Sequence, residues 1–407
     1  MITSEQKVYV EYYNSNETGL NTETSFNTTD MMKRKSSLII SAIVLSFSFN
    51  TDSHGQGYRT SLEIRAPHEV ESVTINGEPT VFYELHLVNF SRDTLEVRSL
   101  DVKDSLNTKT VFSINDFRRA MRRVGSSNAD STNLISPGSA SVVFLEYALA
   151  NPGSTQLTHR ITLGNRNSQE LYSVQSEEQT SVKSAPITLG KPLSGGPWAA
   201  VFSPDWETGH RRMYYTVNGR ARIPGRLAID FFKMDQKGLY ASGDPDKITN
   251  WHGYNAEVLA VADGVVSSVD DGFSESATIS AHPRLTGEKG AGNYISIKIE
   301  ENVYAFYEHL KPGSIRVKAG QAVKKGEVIA ALGFTGSTQG PHLHFHLGDK
   351  DSPLGAEGIP FVFESFELIG AYNDFERFGK NVWATKSIKT GSRKKERPMP
   401  NAVVVFD

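Results

Sequence analysis

The stretch Gly333-Phe-Thr-Gly-Ser-Thr-Gln-Gly-Pro-His-Leu-His-Phe-His-Leu347 decides how this chain is read. Its second half alternates His342, His344 and His346 with apolar residues, the period of a β-strand, so the three imidazoles are expected on one face. Same-face neighbours on a strand sit about 7 Å apart. At that separation one imidazole can take a divalent metal while the next stands beside it as a proton-transfer group, which makes His-x-His a candidate metal motif. Gly333, Gly336, Gly340 and Pro341 let the preceding backbone turn tightly and approach a bound peptide closely.

Working outward, 407 residues exceed one ordinary core, so two domains with appendages are expected. Apolar residues at 38% and charged residues at 22% are ordinary for soluble globular protein, and a net charge of −3 leaves no nucleic-acid footprint. Cysteine is absent, which excludes disulfides, thiolate zinc sites, a cysteine nucleophile and a lipidated cysteine anchor. Any metal must therefore be held by histidine and carboxylate.

Lys33-Arg-Lys35, an apolar run from Leu38 to Phe49 and then small residues around Ser53-His-Gly55 read as a signal peptide over 32–56. A run of about a dozen residues is too short for a stable membrane span. Residues 1–31 are expected to be a non-native or disordered extension, with translation starting at Met31 or Met32. The mature chain is then periplasmic or extracellular in a bacterium, with no stable membrane span once the signal is removed.

Residues 57–184 offer short alternating runs such as Val81-Phe-Tyr-Glu-Leu-His-Leu-Val88 and Ser141-Val-Val-Phe-Leu-Glu-Tyr147, which predict an immunoglobulin-like antiparallel β-sandwich. Asn76-Gly77 is a turn signal, Asn89 to Asp93 reads as a hairpin, and Asn115 to Arg123 as a short helix. His68, His86 and His159 read as structural or surface residues. Pro186, Gly195-Gly196 and Pro197 predict a linker over 185–198. A second, mostly antiparallel β domain is expected over 199–370 and a solvated, partly basic tail over 371–407. The fold class is all-β.

Thr335 to Phe345 resembles the signature of the LytM-type (M23) zinc metallopeptidases, which cut peptide cross-links in bacterial cell walls. The resemblance extends back, in the family's order, through Asn255 to Val266, Gly292 to Ile297, Tyr304 to Leu310 and Val317 to Ile329. It implies a β domain with a substrate groove, a single Zn2+ and peptidoglycan peptide as substrate. It also implies Asp230 and His344 as metal ligands, and His309 and His342 as catalytic histidines flanking an open metal position. Asn293, Tyr294 and Tyr307 match segments near the site, Tyr307 as a hydrogen-bond donor to substrate. Loops over about 235–254 and 271–292 are expected to rim the groove.

The chain departs from the family at the first ligand, where Arg226 stands in place of histidine; a guanidinium has no lone pair to give a metal. His210 is the foremost replacement, reaching the site from a strand adjacent to Asp230 through a hairpin turned at Asn218-Gly219. His252, His346 and the absence of any third protein ligand are the alternatives. Asp230, on the apolar run Arg226 to Phe232, requires a cationic partner, either zinc or an arginine. The function expected is a secreted zinc endopeptidase of peptidoglycan, possessing a β-sandwich that positions it. The other readings are a degenerate module that binds cell-wall peptide or a partner hydrolase as a regulator, and a structural adhesin.

Overall fold

Strand patterning runs through almost all of the computed structural model, which describes residues 61–407 apart from 126–132, 166–169, 178, 184, 204–205, 207–209, 286 and 387. The expectations for 1–56 lie outside the described residues. Ser61–Asp407 forms one compact unit built on two large sheets.

In the first sheet the strands lie in the order Lys109–Phe112, Leu95–Asp104, Gln156–Asn165, Thr180–Lys183, Val70–Ile75, Glu78–Asn89, Ala140–Ala148, Met121–Arg123. Leu95–Asp104 buries Leu95 and Val97 and then Leu100 and Val102, the change of parity falling at a bulge between Val97 and Ser99. These side chains share one core with Leu85 and Leu87 from Glu78–Asn89 and with Ile161 and Leu163 from Gln156–Asn165. Asn76 and Gly77, at φ 53° and 81°, close the hairpin expected of them. Asn89 to Asp93 does not form a hairpin: the strands on either side pair with other strands, and the buried Asn89 amide ties the crossing to the carbonyls of Asp93 and Ile135. The helix is confined to Ile114–Ala120, capped by Ser113 and Asp116, because Met121–Arg123 joins the sheet edge.

Glu78–Asn89 is buried on both faces. Tyr83 and Leu85 point into the first core, while Phe82, with Val73 and Ile75, packs on Leu227 and Val362 of the second half. Val142 and Phe144 likewise pack on Ile223. Burial of this second face replaces the alternation of a half-solvated strand by a nearly continuous apolar run.

The second sheet runs Ile187–Leu189, Phe361–Ala371, Ala402–Phe406, Gly195–Val201, Ile229–Lys233, Leu343–Gly348, Val303–Glu308, Tyr294–Glu300, Gly264–Asp270, Ala322–Val323. Two expectations are corrected here. The segment expected as a linker supplies Ile187–Leu189 and most of Gly195–Val201. The segment expected as a solvated tail supplies Gly391–Glu396, paired with Phe361–Ala371, and Ala402–Phe406, which lies in mid-sheet. Ala402, Val404 and Phe406 face one core and Val403 the other, so the apolar run is a central strand buried on both sides. Arg397, in the basic stretch, is 1% exposed; its backbone N–H donates to Thr74 O and its guanidinium lies over Phe202 and Phe361.

Candidate metal centre

Strand register assembles most of the site. Ile229–Lys233 pairs with Leu343–Gly348 so that Asp230 stands opposite His344, and Val303–Glu308 pairs on the other side so that Glu308 also stands opposite His344. Apolar Ile229, Phe231, Leu343, Phe345 and Tyr307 turn to the core beneath, which leaves the polar parity on the other face.

On that face Asp230 Oδ1 lies 2.8 Å from His344 Nδ1 and 3.4 Å from His342 Nε2, and Asp230 Oδ2 lies 2.8 Å from His210 Nε2. The partners of Asp230 are thus histidines rather than an arginine. His210 arrives on the 3-10 turn His210–Arg212, not on a neighbouring strand as expected. The Asn218-Gly219 hairpin does form, between Tyr215–Val217 and Arg220–Arg222. Arg226 takes no part in this cluster: its guanidinium is buried against Glu84 and Glu357.

His309 follows Val303–Glu308 with φ 63°, an uncommon conformation for a side-chain-bearing residue. It is held there by its N–H on Ala291 O at 3.0 Å, by Gly333 N–H on its own carbonyl at 3.1 Å, and by its Nδ1 against Thr335 O at 2.8 Å. Its ring centroid is 4.8 Å from that of His342. His342 is stacked on Phe232 at 4.6 Å, and its Nδ1 lies 2.8 Å from Gly340 O. Gly340 is required beside it, since a Cβ there would fall 2.3 Å from the Trp251 ring.

The ligand atoms of His210, Asp230 and His344 lie within 4.8 Å of one another. Two imidazole nitrogens and a carboxylate oxygen from three elements form a donor set suited to a borderline divalent ion. A second group, Glu308, His344 and His346, lies against the first and shares His344. Glu308 was not singled out from sequence, although its place two residues before Leu310, on the strand leading to His309, carries the parity that faces His344. His252 belongs to neither group. Tyr307 is fully buried and its hydroxyl accepts from Val261 N–H at 2.8 Å, so the expected hydrogen bond to substrate is corrected to a core contact. Asn293 is also buried, pinning Phe273 through both its amide atoms.

Electrostatics follow from this crowding. Burial pushes the Asp230 carboxyl up, but His210 and His342 outweigh it and hold the group well below the usual carboxylate range. Desolvation lowers His210, yet the charge and hydrogen bond of Asp230, with the charge of Glu308, together raise it by more. Burial, followed by the neighbouring His342 and His344, keeps His309 well below an ordinary histidine. Burial pushes the Glu308 carboxyl up.

Residues 250–355 match the model of peptidase family M23. The match covers about a quarter of the chain. Over 200 residues the chain is 30% identical to an uncharacterized metalloprotease of Haemophilus influenzae, covering 47% of this chain and 32% of that one. Over 66 residues it is 44% identical to the peptidoglycan DD-endopeptidase ShyB of Vibrio cholerae, 16% of this chain and 15% of that one. The chain thus spans about a third or less of these curated relatives. Among solved structures it is similar to the catalytic domain of lysostaphin from Staphylococcus simulans, at 20% identity and TM-score 0.22, over 42% of this chain and 88% of that one. It is also similar to the catalytic domain of the M23 protein EnpA from Enterococcus faecalis, at 19% identity and TM-score 0.21, over 43% and 89%.

His309, His342 and His344 lie inside the matched segment, whereas His210 and Asp230 precede it. The two loops expected to rim the site meet each other: Tyr254 hydrogen-bonds to Glu275, and Ser280 Oγ donates to Asp246 at 2.8 Å. Trp251, stacked on Tyr240 at 4.1 Å, carries the first loop to the M23 motif at Gly340. No helix among the described residues is long and apolar enough to cross a membrane.

Proposed function

We propose that the chain is a zinc-dependent endopeptidase that hydrolyses peptide bonds in peptidoglycan cross-links or stems, outside the cytoplasm. The observation that carries this reading is the convergence of His210 Nε2 and His344 Nδ1 on the two oxygens of Asp230, each at 2.8 Å. These three residues would hold the ion. Zinc supplies Lewis-acid activation of water and of the scissile carbonyl.

The histidines beside the ion do the proton work. His309 Nδ1–H donates to Thr335 O, which leaves its Nε2 with a lone pair, while His342 Nδ1–H donates to Gly340 O and its Nε2 faces Asp230 Oδ1 at 3.4 Å. Burial favours this neutral form of His309. His309 accepts the proton released as water attacks the peptide carbonyl and returns it to the departing amine nitrogen, with His342 beside it at 4.8 Å between ring centroids. With the ion bound, His344 would donate Nε2–H to His346 Nδ1, 3.2 Å away, and so present Nδ1 to the ion. The degenerate reading rested on Arg226; its ion pairs with Glu84 and Glu357 give it a separate occupation, which supports the enzyme.

The test is zinc stoichiometry of the full chain after dialysis against a weak chelator, followed by digestion of purified peptidoglycan. About one zinc per chain and released peptide fragments are expected. A chain that holds no zinc but still binds peptidoglycan would be a recognition module, possessing the site's residues without its chemistry.

A further inference from the structure

Asp230 and His344 sit on paired strands, but His210 sits on a three-residue 3-10 turn with about a third of its side chain exposed. A lone turn does not by itself hold a ligand to the tolerance a metal needs. The residues around it are held from outside, by the first sheet. Arg211, 7% exposed, donates from Nη2 to Leu145 O at 2.6 Å and to Tyr83 O at 3.4 Å, lies 3.9 Å from Glu84, and covers the Phe82 ring. Tyr214 is hydrogen-bonded through its hydroxyl to His86 Nε2 at 3.0 Å.

The other side of His210 is gripped as well. A Cβ on Gly225 would fall 2.7 Å from His210 Cβ, so the two backbones are in contact at the limit of approach. The next residue, Arg226, is tied to Glu84. Both segments that enclose His210 therefore end on Glu84 of Glu78–Asn89.

We propose that the first sheet, through Glu84 and the carbonyls of Tyr83 and Leu145, positions His210 over Asp230, with Arg211 and Arg226 as positioning residues, so that the metal centre is complete only when the two sheets are docked. This rests on His210 being a ligand, as proposed above. It also gives Arg226 a reason: the residue in the first-ligand position has become part of the tie that brings the substitute ligand in.

The test measures zinc affinity by chelator competition, and the visible spectrum of the Co2+-loaded protein, on full-length Arg211→Met, Arg211→Lys, Tyr214→Phe and His210→Ala, each checked for folding by circular dichroism. Arg211→Met is expected to bind zinc about 10–100-fold more weakly, as losses of supporting contacts to ligands do. Its Co2+ spectrum should shift, Arg211→Lys should recover part of both, and Tyr214→Phe should show a smaller loss. A folded Arg211→Met with wild-type affinity and spectrum, beside a weakened His210→Ala, overturns the positioning role and leaves the ligand assignment standing. Wild-type affinity in His210→Ala overturns both. Should Arg211→Met fail to fold, Tyr214→Phe decides, and an unchanged affinity and spectrum there overturns the proposal.

Discussion

Arg226 and Glu84, 142 positions apart, meet in a two-pronged ion pair: Arg226 Nε lies 2.9 Å and Nη2 2.8 Å from Glu84 Oε2, with both side chains under a tenth exposed. Glu357 closes on the same guanidinium from the second half of the chain. Burial alone would push the Glu84 carboxyl up, but Arg226 and Arg211 bring it below its ordinary value. Burial likewise opposes the charge on Arg226, and the two glutamates outweigh it. Removing Glu84 takes a carboxylate from between two buried guanidiniums, Arg211 and Arg226, and leaves Arg226 with Glu357 alone. Glu84→Ala should therefore cost about 3–5 kcal/mol in urea unfolding, while the double change Glu84→Met with Arg226→Met recovers part of that loss, Glu357 keeping Arg222.

His159, buried in the first core with Nε2 3.0 Å from the Tyr83 hydroxyl, has its pKa pushed down to about 4 by burial. The unfolded chain takes up the proton near 6.5, so between the two values the unfolded state binds more protons and stability falls as pH drops. The loss amounts to about 3 kcal/mol by pH 4 and then levels off. Urea titrations at several pH values should show it, and His159→Gln should remove that part of the slope.

On the proposed mechanism, truncating His309 or His342 should separate chemistry from metal binding. His309→Ala and His342→Ala should lower kcat on soluble peptidoglycan fragments by about 10²–10⁴-fold. Zinc content should stay near that of the parent in both. Loss of zinc together with activity would place these histidines among the ligands instead.

Metal uptake should weaken in acid. As a proposed ligand, His210, raised by Asp230 above an ordinary histidine, would have to give up its proton to bind, so affinity should decline as pH falls below that pKa, by about tenfold per unit from this group. Chelator competition from pH 5 to 8 measures the slope, which should be shallower in His210→Ala.

The spacing of His342, His344 and His346 made their common face legible, and the polar Asp230 in an apolar strand announced a partnered carboxylate. His210 was legible as a candidate because Asn218-Gly219 marks a turn between it and Asp230. Its support was not, since Arg211, Glu84 and Leu145 meet only through docking of one sheet on another. Glu308 escaped notice for a related reason: its role depends on cross-strand register with His344, which sequence alone does not give. Tyr307 shows the reverse case. Strand parity places it opposite Phe345, on the apolar side, and the alternation was there to be read.

The position of Ala402–Phe406 bears on how the molecule is made. It lies between Phe361–Ala371 and Gly195–Val201, and the latter pairs directly with the strand carrying Asp230. During synthesis the nascent chain therefore exposes two unsatisfied strand edges until Phe406 has emerged. Ribosome stalling, premature termination or proteolytic trimming ahead of Ala402 would leave a gap one strand away from the ligand strand, so possession of every candidate metal ligand does not by itself make a shortened product competent.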